Sequence, residues 1–202
     1  MSDGERGQID YLGKKLGMWF FLLTEILFFG GMFVLYSIYR YKYAPDFHRA
    51  ALDENLLLGT INTVVLLTSS FTMALAISAI RRGRKTLSSN LQLATISMGI
   101  LFLVIKYSEW SAKIGSGIYP DSPVLLQLAK GEILFFGLYY VMTGLHGLHV
   151  LVGCVVIAFM FGFTKREIIN HRNYSRLENT GLYWHFVDIV WIYLYPLFYL
   201  IT

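Results

Sequence analysis

Charge is scarce in this chain. Asp, Glu, Lys and Arg make up only 15% of it, against about a quarter in an ordinary soluble domain. With 55% of residues hydrophobic and a mean hydropathy of +0.53, too little polar chain remains to build a separate soluble domain. The composition is that of a polytopic membrane protein, and 1–202 reads as one membrane domain, a single helical bundle. Cysteine is nearly absent: Cys154 stands alone inside an apolar run, which excludes an intramolecular disulfide and suits a small buried hydrophobe. The basic excess of four is scattered over short connections, so no basic tract marks a nucleic-acid partner. Low-complexity tracts and polar linkers are missing. The first apolar run also lacks a small-x-small cleavage site and exceeds a signal-peptide core in length, so the first helix is expected to be retained.

What is present is apolar length. Five segments pass the test of about 20 apolar residues per span, and the sequence predicts an all-α bundle of five transmembrane helices over approximately 16–38, 56–80, 91–111, 133–163 and 181–201. The second carries Gly59, Asn62 and the Thr68-Ser69-Ser70 cluster, and the fourth carries Gly137, Gly144, Gly147, Gly153 and Gly162. Small and hydroxylated residues of this kind let helices approach and bond across an interface. Lys and Arg in the connections number eleven on one side and five on the other, with Lys106 inside the third span. That asymmetry predicts a cytoplasmic N-terminus and a C-terminus outside. The hexapeptide EILFFG occurs at 25–30 and again at 132–137, but at different depths, so it does not indicate an internal repeat.

Within the spans, the polar residues are the candidate functional groups. Glu25 lies in LGMWFFLLTEILFFGGMFVLYSI, roughly 14 Å along the helix from Leu16 and near the middle of a ~30 Å hydrocarbon layer. It is either a protonated anchor bonded to a neighbouring helix or a proton-handling group, and spacing leaves both open. By depth, its partners are expected to be His149 and the hydroxyls of the second helix. Lys106 and Glu109, three apart, share a helix face and read as an interfacial ion pair near the outer end of the third span. His146 and His149 form an HxxH pair in GLHGLHVLVG. Two imidazoles at that spacing suit either a metal with a third ligand from Glu25 or Asp188, or bonding across a glycine-rich contact. His185 and Asp188 fall in YWHFVDIVW near the cytoplasmic interface, where Trp184 and Trp191 suit an aromatic belt.

Taken in order, LTEILFF, INTVVLLTSSFTMALA, YSEW, TGLHGLHVLVG and YWHFVDIVWIYLYPLFYLI resemble subunit III of the haem-copper cytochrome c oxidases, over nearly the whole chain from Leu16. The five spans are similar to the last five of longer, seven-span members, as in many bacterial forms. The resemblance implies a non-catalytic subunit of an aerobic terminal oxidase in a bacterial inner membrane. It implies no cofactor on this chain, haem and copper in partner subunits, packing beside subunit I with other oxidase subunits nearby, and structural phospholipids in a cleft. Glu25 then takes the place of the family's buried, carbodiimide-reactive glutamate, with a proton-related role. His146, His149, Trp184, His185 and Asp188 take those of structural and lipid-cleft residues, with no catalytic residue and no metal ligand. Lys165 and Arg166, about two positions late relative to the family pattern, would contact lipid headgroups. Quinol oxidase subunits and nitric oxide reductase accessory proteins share the architecture. Two readings of other classes stand beside it: a stand-alone proton-coupled transporter using Glu25 and the histidines, and a membrane metalloenzyme using His146 and His149.

Overall fold

The computed structural model describes residues 3–201, with side chains from Lys15 onward; Arg6 and Lys14, which entered the charge count, lie outside the described side chains. The chain forms α1 (Asp3–Lys42), α2 (Ala44–Leu52), α3 (Leu56–Arg81), α4 (Lys85–Gly115), a single 3-10 turn (Leu125–Gln127), α5 (Lys130–Lys165) and α6 (Ser175–Tyr199). No strand occurs among the described residues. Among the described residues, four helical stretches are long and apolar enough to cross a membrane: Lys15–Lys42 of α1, α3, α4 and α5. At 25 residues α6 is long enough, but its His, Asp, Trp and Tyr content makes it less apolar than the other four.

Sequence chemistry marks the helix ends. Asn55 caps α3, its Oδ1 accepting from the Leu58 N–H at 3.1 Å, and Glu132 Oε2 accepts from the Ala129 N–H at the start of α5. Between α3 and α4 the chain reverses in three residues, with Gly83 at φ +72°, a backbone region costly for any side chain.

Helices α3, α4, α5 and α6 pack as a four-helix core, α3 against α4 and α6, and α5 against α4 and α6. Glycines set the close approaches. A methyl at Gly59 would meet the Tyr199 ring at 2.6 Å, one at Gly181 would meet Ile77 Cδ1 at 2.4 Å, and Gly99 and Gly153 both abut Trp184. Helix α1 lies along the outside of α5 and α6 on a narrow seam of Leu22, Phe29 and Tyr36, spaced seven apart. Its other faces expose Trp19, Phe20, Leu23, Leu27 and Val34, an apolar surface suited to lipid or a neighbouring subunit.

The short helix α2 is amphipathic, with Phe47, Ala50 and Ala51 buried. Asp46 Oδ2 accepts from the Gly131 N–H at 3.1 Å, and Arg49 Nε donates to Glu132 Oε1 at 3.0 Å, which fastens α2 to the start of α5. Phe47 packs edge-on to Tyr36 and Phe135.

Candidate functional site

The helix packing brings most of the candidate groups into three polar clusters inside the bundle. The first joins α1 to α5. His149 Nε2 lies 3.1 Å from Glu25 Oε2, so the first expected partner of Glu25 is the one found. His149 Nδ1 is 2.7 Å from the Leu145 carbonyl, which only accepts, so Nδ1 carries a hydrogen. Nε2 and the Glu25 carboxyl must then share one proton, as neutral imidazole and carboxylic acid or as imidazolium and carboxylate. Phe29 stacks edge-on to this imidazole at 5.2 Å, and Tyr183 Oη donates to the His149 carbonyl at 3.1 Å. Among the described residues no hydrogen bond joins Glu25 to a hydroxyl of α3, where Ser69, Ser70 and Thr72 bond elsewhere.

The second cluster joins α6 to α3. Ser70 Oγ and His185 Nδ1 are 2.6 Å apart, and Trp184 Nε1 donates to Ser69 Oγ at 3.0 Å. Asp188 is buried beside Ser70, with no aligned hydrogen-bond partner on either oxygen. Trp191 Nε1 donates to Thr63 Oγ1 at 3.0 Å. The aromatic-belt expectation for Trp184 and Trp191 is corrected here: both are buried in the core, at 0% and 1% exposure. Each indole has a hydroxyl on α3 for its N–H, and glycines make room for the Trp184 ring, so neither needs the membrane interface.

The third cluster surrounds Lys106. Its Nζ donates to Glu109 Oε1 at 3.1 Å, Tyr139 Oη at 2.9 Å and Tyr199 Oη at 2.5 Å, so all three ammonium hydrogens are used. Both tyrosine hydroxyls donate in turn to Glu109 Oε1. The ammonium also lies over the rings of Tyr139, Trp191 and Tyr199. The pair expected at the outer interface forms, but with side chains only 6% and 3% exposed it is enclosed by protein, because aromatic residues of α5 and α6 close over it. One turn further along α4, Lys113 Nζ reaches Glu54 Oε1 at 3.0 Å. Sequence reasoning passed over Lys113 and Glu54. The available signal was the spacing of Lys106, Glu109 and Lys113, which puts all three on one stripe of α4.

The HxxH histidines do not act together. His149 turns to α1, whereas His146 sits in the core between Phe102 at 5.4 Å and Trp191 at 5.1 Å, with neither ring nitrogen bonded. Among the described residues no three His, Cys, Asp or Glu side chains are grouped to hold a metal ion. Lys165 and Arg166 are exposed at the end of α5, Lys165 over the Phe161 ring at 5.5 Å. Neither joins a cluster.

Comparison with protein-family profiles matches cytochrome c oxidase subunit III over residues 3–202. A cytochrome c oxidase subunit 3 of Thermostichus vulcanus is 31% identical over 94% of this chain and 88% of its own length. A probable quinol oxidase subunit 3 of Staphylococcus saprophyticus is 29% identical over 93% and 89%. A heme-copper oxidase subunit I+III of Aeropyrum pernix is 30% identical over 93% of this chain, which spans only 22% of that longer protein. With four helices able to cross a membrane and a family match along its whole described length, this chain belongs to the cytochrome c oxidase subunit III family.

Proposed function

We propose that the protein is the accessory subunit III of a haem-copper terminal oxidase in a bacterial cell membrane. It crosses the membrane five times, α6 included, with its N-terminus in the cytoplasm. The observation that carries this reading is the family match over residues 3–202. The excess of Lys and Arg in the first, third and fifth aqueous segments supports the orientation. The relative named as a subunit I+III supports subunit I as the neighbour that holds the haem and copper. This chain's part is structural: it supports assembly, gives lipid a seat along α1, and sustains proton uptake by the complex without taking part in oxygen reduction. Isolating the intact oxidase tests the reading, and an oxidase recovered without this chain would overturn it. The optical spectrum of the isolated complex then gives the haem types of the partner.

A second reading concerns the electron donor, because both cytochrome c oxidase and quinol oxidase subunits are among the relatives. Oxygen consumption by the isolated complex with reduced cytochrome c or with a quinol decides between them.

Glu25→Gln should leave initial oxygen consumption near the wild-type value, because the Gln amide can donate to His149 Nε2 and keep the bond without a titratable proton. Glu25→Leu removes the bond and leaves Nε2 unpaired, at a cost of about 1–3 kcal/mol. It should shorten the active lifetime of the complex during sustained turnover. A fully assembled, haem-replete Glu25→Gln complex with only background turnover would refute the accessory role.

A further inference from the structure

Glu54 is the joint between α2 and α3. Asp53 closes α2, its N–H donating to the Ala50 carbonyl while the Glu54 N–H donates to that of Ala51, and Asn55 opens α3. The Glu54 side chain is fully buried between these caps. Lys113 approaches at 3.0 Å, but neither carboxylate oxygen has an aligned hydrogen bond, and Lys113 also donates to the Asp53 carbonyl at 3.3 Å. The charged groups facing Glu54 are Lys113, Lys106 and Glu109 of α4; Tyr139 and Tyr140 of α5 and Tyr199 of α6 complete the titratable surroundings. Two lysines and two glutamates thus share one enclosed site. Lys106, Lys113 and Glu109 each have an aligned hydrogen bond, whereas Glu54 has only the ion-pair approach of Lys113.

We propose that Glu54 is a proton-binding site that reads the pH of the outer aqueous phase and sets how firmly the α2–α3 corner is seated: closed with Glu54 neutral, released with Glu54 ionised. The outer location rests on the orientation proposed above; the site itself does not.

Burial pushes the Glu54 carboxyl up to about 7, with Lys113 offsetting only part of the cost. In a released corner the carboxyl meets water and returns to the ordinary range near ~4.3. The closed corner therefore binds the proton more tightly, so protonation stabilises closure. That stabilisation is complete below the ordinary carboxyl range and is lost as pH rises through about 7. Release need not detach the whole of α2, because Asp46, Phe47 and Arg49 hold the part before Ala50 to α1 and α5 while the corner from Ala51 onward opens. On an energised membrane the outer phase is the acidic one, and there the corner seals.

Thiol labelling in the purified complex tests this. Ala51 is 6% exposed and its neighbour Leu52 is 68% exposed, so labelling of Ala51→Cys relative to Leu52→Cys by a neutral maleimide follows opening while cancelling the pH dependence of the thiolate. Cys154 is buried. The ratio should rise on the order of tenfold between pH 5.5 and 7.5 and flatten above, as one-proton linkage requires. With Glu54→Gln added it should stay at its low-pH value throughout. A flat wild-type ratio, or an equal rise with Glu54→Gln, overturns the proposal. If Ala51→Cys fails to assemble, hydrogen exchange of the 50–58 segment, corrected for intrinsic rate, gives the same comparison in wild type and Glu54→Gln. In sealed vesicles of known sidedness, a response that follows cytoplasmic pH overturns the orientation but leaves the Glu54 site standing.

Discussion

Lys106→Met should destabilise the folded chain by about 3–5 kcal/mol, the usual cost of stripping a buried ion pair of one partner. The ammonium uses all its hydrogens on Glu109, Tyr139 and Tyr199. Its removal leaves a carboxylate with side-chain exposure of only 3% and no cation within hydrogen-bond reach. Lys113 does not fill the gap, because it is committed to Glu54 and the Asp53 carbonyl. A second substitution, Glu109→Gln, should recover most of the loss. Its amide oxygen still accepts from the two tyrosine hydroxyls while the unpaired charge disappears. Thermal unfolding of the subunit within the purified complex measures both variants. If Lys106→Met falls within about 0.5 kcal/mol of wild type, the range of an ordinary surface substitution, the ion pair does not hold α4, α5 and α6 together.

That cluster also shows where sequence reasoning reaches and where it stops. Spacing of three put Lys106 and Glu109 on one face, and depth gave Glu25 two expected partners, His149 and the α3 hydroxyls, because rise per residue is fixed in any helix. Of the two, only His149 is found bonded to it. Enclosure is a different matter. Whether Lys106 meets water or the rings of Tyr139, Trp191 and Tyr199 depends on how neighbouring helices rotate about their axes, which apolar length leaves undetermined. The long helices were legible for the same reason that α2 was not. Its nine residues, APDFHRAAL, fall far short of a span, and its proline and charges read as a loop. Glu54 carries no signal of its own in the sequence, since only the folded-back α2 and the Lys113 stripe bury it. At α6, the Trp, Tyr, His and Asp that make it less apolar than its neighbours are the same residues that bond to α3.

Trp184→Ala should cost about 3–5 kcal/mol, as large-to-small changes of a core aromatic do. The indole is wholly buried, and its N–H is held by Ser69. It is also clasped from two sides: a Cβ on Gly99 would sit 2.8 Å from Trp184 Cη2 and 2.5 Å from Cys154 Sγ, and one on Gly153 would sit 2.7 Å from Trp184 Cε3. Neither glycine tolerates a side chain while the ring is present. Gly153→Val alone should therefore destabilise by about 1–3 kcal/mol through overpacking. In the Trp184→Ala background the same substitution enters the space the ring has left, so its effect should change sign and restore part of the stability. Coupling of this kind, large and of opposite sign in the two backgrounds, is expected only of residues in direct contact. A double mutant whose loss equals the sum of the two single losses would mean that Trp184 does not fill the α4–α5–α6 junction.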